Sequence, residues 1–260
     1  MAAITVEQLK KSYGRTVAVR DVSFEAHEGE CLALLGPNGA GKTTTLEVLE
    51  GFLDRDAGRV QVLGVDPARG GRRWRESIGI VLQGTAADPY LTAAEVLEKF
   101  AAYYPRPRDV EEVLGLVGLA DQAGTRVAKL SGVQQRRLDV ALGIVGRPRL
   151  LFLDEPTTGF DPSARREAWN LVGELRGLGT TILLTTHYME EADALCDRVG
   201  LMHQGRLRAV GAPDALKAEL GPATSLEDVF RHHTGGRLDQ PEKGGLRGIR
   251  STRRTAGRMG

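Results

Sequence analysis

Two groups of residues in this 260-residue chain have the types and spacing that phosphate chemistry needs. GPNGAGKT, Gly36 to Thr43, fits G-x-x-x-x-G-K-[ST] and stands between an apolar run suited to a buried strand, ECLALLG, and a segment with helical spacing, TLEVLEGFL. Glycines at 39 and 41 let the backbone approach phosphate oxygens without a Cβ in the way. The amides of Gly39, Gly41, Lys42 and Thr43 are expected to point inward at a helix N-terminus, where the dipole favours an anion. Lys42 supplies a point charge to the β and γ phosphates, and Thr43 a hydroxyl to Mg²⁺. Gly accounts for 33 of the 260 residues, so glycine spacing alone says little; the Lys-Thr pair and the strand-to-helix context make the assignment.

LLFLDEP supplies the complement. Its apolar run reads as a buried strand that delivers Asp154 to a sheet's carboxyl edge, where a carboxylate can hold Mg²⁺, and Glu155 follows where it can take a proton from an attacking water. His187 comes directly after another apolar run, TILLTT, and can reach the γ-phosphate or order the water. KLSGVQQRR is of a different kind: Ser131 and Gln134 form the S-x-x-Q pattern of a capping box, which explains a helix start and leaves free amides at that helix's positive end.

The elements that must position these residues alternate along the chain. ITVEQLKKSY, TVAVRDVSFEA, RVQVLG and SIGIVLQ read as strands in the first third. TAAEVLEKFAAYY and DVEEVLGLVGLA read as helices separated by the breaker PRPR, so a helical subdomain is expected over about 84–146. Strand and helix units then resume: a helix from Ser131 toward Val145, LLFLD, a helix opened by the cap and first-turn pair Asp161-Pro162, TTILLTT, the helix MEEADALC, and RVGLMHQGRLRAVG as a hairpin. This order implies an α/β fold with a mostly parallel sheet flanked by helices on both faces, together with a helical subdomain.

Lys plus Arg (35) nearly balance Asp plus Glu (34), so no global field draws the chain onto nucleic acid, and no nucleic-acid partner is expected. Cys31 and Cys196 each lie in an apolar run and read as buried thiols. The N-terminus lacks the pattern of a secretory signal, and VALGIVGRPRLLFL, the best apolar run, is interrupted by Arg147, Pro148 and Arg149. The expectation is a cytoplasmic protein that works at a membrane only through another protein. Residues 236–260 are rich in Gly and Arg and read as a disordered tail, with contact to anionic lipid headgroups as the sharper alternative.

Ser12 to Gly14 (SYG), the phosphate loop, Gln83 in LQG, LSGVQ, LLFLDEP, TGFD and TTH occur in the order and approximate spacing of an ABC transporter ATP-binding subunit, which the chain resembles over residues 1–235. The resemblance implies a P-loop NTPase core of the ABC ATPase type, with an antiparallel β subdomain at the N-terminus and a helical subdomain that carries the LSG segment, and with ATP and Mg²⁺ as cofactors. It carries nucleotide contact along the whole loop: Gly36, Pro37, Asn38, Gly39, Ala40, Gly41, Lys42, Thr43 and Thr44. Tyr13 should stack on adenine, and Gln83 should contact Mg²⁺ or the attacking water beside the surface that docks the membrane partner. Ser131, Gly132, Val133 and Gln134 should face the ATP of a second copy in a head-to-tail dimer, with Asp161 at the dimer contact.

THYMEEAD and SLEDVF look like exporters whose permease is a separate ABC-2 type membrane protein, including daunorubicin-type drug-resistance ATPases; the bland reading of SLEDVF is a capped amphipathic helix end. By that resemblance the chain is an ATPase that powers export of a substrate, a drug or other hydrophobic compound being the class suggested, from the cytoplasmic face of the membrane. The alternatives are the ATPase of an import system, a soluble ATPase acting on ribosomes or DNA, and a nucleotide-gated binding module with weak turnover. The last is motivated by Val133, which stands where the family pattern LSGGQ has Gly. Its amide survives, but a β-branched side chain is expected near the partner's nucleotide, so closure should weaken and Val133→Gly should raise turnover.

Overall fold

The computed structural model describes residues 1–81 and 87–235. Among these described residues nine strands form one sheet in the order β4-β1-β2-β9-β8-β3-β7-β6-β5. They are β1 (Ala2–Tyr13), β2 (Thr16–His27), β3 (Cys31–Leu35), β4 (Ala57–Val62), β5 (Ile78–Val81), β6 (Leu150–Asp154), β7 (Thr181–Thr186), β8 (Arg198–His203) and β9 (Arg206–Gly211). The long β1–β2 hairpin and β4 pair antiparallel, while β8, β3, β7, β6 and β5 run parallel to one another. β9 closes a hairpin with β8, as the RVGLMHQGRLRAVG pattern requires.

The central strands are buried on both faces, which is why they are short continuous apolar runs. Their side chains divide by alternation: Ala33, Leu35, Leu151, Leu153, Ile182 and Leu184 enter one core, and Leu32, Leu34, Leu150, Phe152 and Leu183 the other. The first core is shared with the helices α3 (Ala93–Ala101), α4 (Val110–Leu116), α5 (Gly132–Ile144), α6 (Pro162–Gly177), α7 (Met189–Leu195) and α9 (Leu226–Thr234). The second is covered by α1 (Lys42–Leu49), the β1–β2–β4 region and Trp74 of α2 (Arg72–Glu76).

Helix starts follow their caps. Thr92 with Glu95, Ser131 with Gln134, and Ser225 with Asp228 each make both bonds of a capping box, and Asp109 and Asp161 cap α4 and α6. SLEDVF is the capped N-terminal end of an amphipathic helix, and it buries Leu226, Val229 and Phe230. The helix α5 docks closely on β5: a Cβ on Gly79 would lie 2.2 Å from the Gly143 carbonyl oxygen, so only glycine lets the two backbones approach. Two short helices, α2 and α8 (Pro213–Ala218), have no counterpart in the sequence reading. Cys31 and Cys196 are both buried, and the fold sets their Sγ atoms 3.6 Å apart. Among the described residues no helix is long and apolar enough to cross a membrane.

Candidate active site

β3, β7 and β6 are neighbours in the sheet and parallel, so their carboxyl ends lie together. The phosphate loop leaves β3, His187 leaves β7, and Asp154 and Glu155 end and follow β6. Sheet register gathers the chemistry at one edge: Leu35 pairs with Thr186 and Asp154 with Thr185.

The loop between β3 and α1 is shaped by close approach. A Cβ on Gly36 would lie 2.2 Å from the Met202 carbonyl oxygen, and one on Gly41, whose φ is +99°, 2.5 Å from that of Ala18. Glycine is required at both. The Ala40 amide donates within the loop, to Pro37 O at 3.2 Å, and the Thr45 amide to Gly41 O at 2.9 Å; the amides of Gly39, Gly41, Lys42 and Thr43 are not taken up by the loop's own bonding. These are the donors the sequence assigns to phosphate oxygens. Lys42 is buried, and Nζ donates to Gly36 O at 2.7 Å and Pro37 O at 3.1 Å while lying 3.5 Å from Glu155 Oε1. Burial lowers the Lys42 ammonium below its ordinary value, with Glu155 and Asp154 pulling the other way.

Thr43 Oγ1 donates to the Asp154 carboxylate, 3.3 Å from Oδ1 and 3.4 Å from Oδ2, and Thr185 Oγ1 donates to Oδ1 at 2.6 Å. A hydroxyl and a buried carboxylate from opposite sides of the site thus already face each other. These are hard oxygen donors of the kind Mg²⁺ takes, and they leave most of its coordination to phosphate and water. Among the described residues no group of three or more His, Cys, Asp or Glu gathers to hold a metal ion.

Glu155 has φ +47°, a left-handed conformation that costs a non-glycine residue about 1–3 kcal/mol unless its surroundings hold it. Its amide is fixed by Thr185 O at 3.1 Å and Thr185 Oγ1 at 3.0 Å. Its Oε2 accepts from Thr158 Oγ1 at 3.1 Å and lies 3.7 Å from His187 Nδ1. The His187 imidazole, together with Lys42 and Thr158, outweighs the desolvation and holds the Glu155 carboxyl down at about 2. The carboxylate is therefore in the form a general base requires.

Tyr13 is half-buried at the tip of the β1–β2 hairpin, paired with Thr16, with Lys11 Nζ 5.9 Å from its ring centroid. The same hairpin brings Ala18 against Gly41 of the phosphate loop. Gln83 lies outside the described residues. So do residues 236–260.

The LSG segment opens α5, and Gly132 lines one pocket with Arg136, Glu155 and Thr158. Ser131 and Gly132 are exposed, and the reciprocal Ser131–Gln134 bonds of 3.2 and 2.9 Å complete the cap. Arg136, one turn on, ties the helix to the strand that carries the carboxylates: Nε donates to Pro156 O at 3.1 Å and Nη2 to Asp154 O at 3.1 Å. In sequence it is one of a basic pair in QQRR and gives no sign of this role.

Val133 changes an expectation. It is half-buried and lines an apolar slot between α5 and α6 with Val140, Pro156, Phe160 and Leu171, all of its own chain. Ser131 and Gly132 remain at the exposed edge, while the Val133 side chain has apolar partners within its own chain, which favours a packing role for it over an obstruction. Val133→Gly should accordingly lower unfolding stability by about 1 kcal/mol through lost burial and added backbone freedom, measured by denaturant titration, without raising ATP turnover. A rise in turnover with unchanged stability would restore the obstruction. Asp161 is exposed and spends Oδ1 on the amides of Ser163 and Ala164, at 2.8 and 2.9 Å, as the cap of α6.

Comparison with known proteins places the site in context. Residues 19–158 match the ABC transporter family. A Nod factor export ATP-binding protein I of Paraburkholderia xenovorans (strain LB400) is 44% identical over 226 residues, covering 85% of this chain and 74% of that protein. A daunorubicin resistance ATP-binding protein of Streptomyces coeruleorubidus is 44% identical over 225 residues, covering 84% and 71%. Among solved structures, an ATP binding subunit of an ABC transporter superposes with a TM-score of 0.79 at 27% identity, covering 89% of this chain and 99% of that one.

Proposed function

The chain belongs to the ABC transporter family, and on that premise we propose that it is the ATP-hydrolysing subunit that powers export through a separate membrane-embedded permease. The observation that carries the ATPase reading is the convergence of Lys42, Thr43, Asp154, Glu155 and His187 at the carboxyl ends of three adjacent strands. Export is supported by the relatives, whose names attach them to Nod factor export and to daunorubicin resistance. These two functions differ while the relatives are each 44% identical to this chain, so cargo choice is assigned to the permease rather than to the ATPase. The ABC-2 type is the permease class this reading takes, with the chain held at the cytoplasmic face of the membrane through it.

The mechanism follows from the residues in place. The free amides of the phosphate loop and Lys42 hold the β and γ phosphates at the start of α1. Thr43 and Asp154 would hold Mg²⁺, which when bound neutralises charge on the phosphate oxygens. Glu155 accepts a proton from the water that attacks the γ-phosphorus, the bond to ADP breaks, and inorganic phosphate leaves. His187 orients the base and the γ-phosphate from its own strand end. Lys42 changes partner in this scheme: without phosphate its charge rests near Glu155, and when phosphate draws it away one cation that weakens the base is withdrawn. A second copy completes each site by presenting Ser131 and Gly132, whose capped helix end has free amides and a positive dipole.

The test is ATP hydrolysis by the purified chain with and without a candidate ABC-2 type permease, in vesicles. Hydrolysis stimulated by the permease is expected. ATP binding with no hydrolysis in either state would favour a nucleotide-gated binding module, and copurification with ribosomes a soluble ATPase. Tyr13→Ala should weaken ATP affinity by about 1–3 kcal/mol, the range for stacking of a base on an aromatic ring, read by nucleotide titration. An unchanged affinity would leave Tyr13 as an ordinary hairpin residue.

A further inference from the structure

We propose that Glu191 is a positioning residue of the hydrolytic site, keeping the turn that presents Glu155 in register with the strand end that presents His187. The side chain lies on the first turn of α7 and is 0% exposed. A buried carboxyl is costly unless hydrogen bonds hold it, and an apolar residue would fill the same space more cheaply. Its Oε1 accepts from Thr157 Oγ1 at 2.8 Å and from Trp169 Nε1 at 3.3 Å. One carboxyl thus joins three elements: α7, which follows His187; the turn after β6; and α6.

Consecutive threonines turn this anchor into a constraint on the base. Thr157 is buried and donates to Glu191, whereas Thr158 is exposed and donates from Oγ1 to Glu155 Oε2 at 3.1 Å. That same Oε2 lies 3.7 Å from His187 Nδ1. The backbone bonds to Thr185 fix the main chain of Glu155, and the Thr158 hydroxyl acts on the reacting carboxylate itself. Fixing Thr157 therefore fixes the peptide from which Thr158 reaches the base. A second contact runs beside the first: Arg165 of α6 stacks 3.9 Å over the Tyr188 ring, which lies 4.1 Å, centroid to centroid, from His187. Both ends of the Glu155–His187 pair are thus referred to α6 and α7. Burial raises the Glu191 carboxyl above its ordinary range, with the hydrogen bonds from Thr157 and Trp169 opposing it.

Glu191 itself bonds to Thr157 and Trp169 and not to the base, so its effect passes through the turn. The inference rests on Glu155 being the base, and the experiment separates the two. ATP turnover of the full chain is measured for Glu191→Leu, Glu191→Gln and Thr157→Val, with Glu155→Gln as reference. Glu191→Leu and Thr157→Val should lower kcat about tenfold or more while KM for ATP stays within about twofold, because the phosphate loop is untouched. Glu191→Gln keeps an acceptor for Thr157 and Trp169 and should retain kcat within about threefold of the unsubstituted chain. Should Glu191→Leu fail to fold, Thr157→Val, which removes one hydroxyl at similar size, carries the test. Unchanged kcat in Thr157→Val, or an equal loss in Glu191→Gln and Glu191→Leu, overturns the positioning role while an inactive Glu155→Gln leaves the base in place. A fully active Glu155→Gln instead removes the base assignment beneath it.

Discussion

Lys42→Ala should abolish productive ATP binding and lower turnover by about 10²–10³-fold or more, the scale for removing one preorganised donor from a charged transition state. The expectation follows from where the ammonium sits. It is buried with 4% exposure, held by the Gly36 and Pro37 carbonyls, and placed at the first residue of α1, where the loop's free amides also converge. Alanine keeps the helix but leaves those amides as the loop's only attraction for the phosphates. It also removes the cation 3.5 Å from Glu155, which leaves the carboxylate beside His187 Nδ1 at 3.7 Å. Inorganic phosphate release and nucleotide titration measure the two effects separately. Full activity would sink the phosphate-loop assignment.

Glu155→Gln should leave ATP binding intact and slow hydrolysis by about 10²–10⁴-fold, the usual contribution of a positioned general base. Gln can still accept from Thr158 and keep the turn, but it cannot take a proton. The pH dependence has a definite sign. Glu155 is held at about 2 by His187 and Lys42, below its unfolded value, so the stability it contributes is present above that unfolded value and is lost as pH falls toward about 2. Removing the carboxylate should therefore destabilise the nucleotide-free protein at neutral pH and have little effect on stability at the acid extreme, read by thermal unfolding across pH. Unchanged turnover would move the base role elsewhere, with His187 next in line.

The candidate residues are legible in the sequence, and placed together by the fold, wherever a local pattern carries them. Gly36–Thr43, Asp154-Glu155 and His187 each follow a run of apolar residues that can only be a strand buried on both faces, and parallel neighbours place such ends together. The Ser131 cap was legible for the same reason, since both halves of a capping box lie within one turn. What the sequence hides is side-chain direction across long separations. Glu191 reads as one of several acids in MEEAD, and only the packing of α6 on α7 buries it against Thr157 and Trp169. Arg136 reads as part of a solvated basic pair until α5 is laid against the end of β6. Val133, compared with the LSGGQ pattern, reads as an obstruction, and the pattern gives no sign of the apolar slot it lines together with Phe160. Cys31 and Cys196 are 165 residues apart, and nothing in either local run announces that they meet.

Two copies of this chain are expected to close head to tail on ATP, each completing the other's site with Ser131 and Gly132. The most direct measurement is the solution mass of Glu155→Gln by light scattering, with Mg²⁺ and with or without ATP. The account predicts a single-chain mass without nucleotide and a two-chain mass with ATP, reverting to one chain when Ser131→Arg is added. A single-chain mass at saturating ATP, or a dimer indifferent to both ATP and Ser131→Arg, would contradict it.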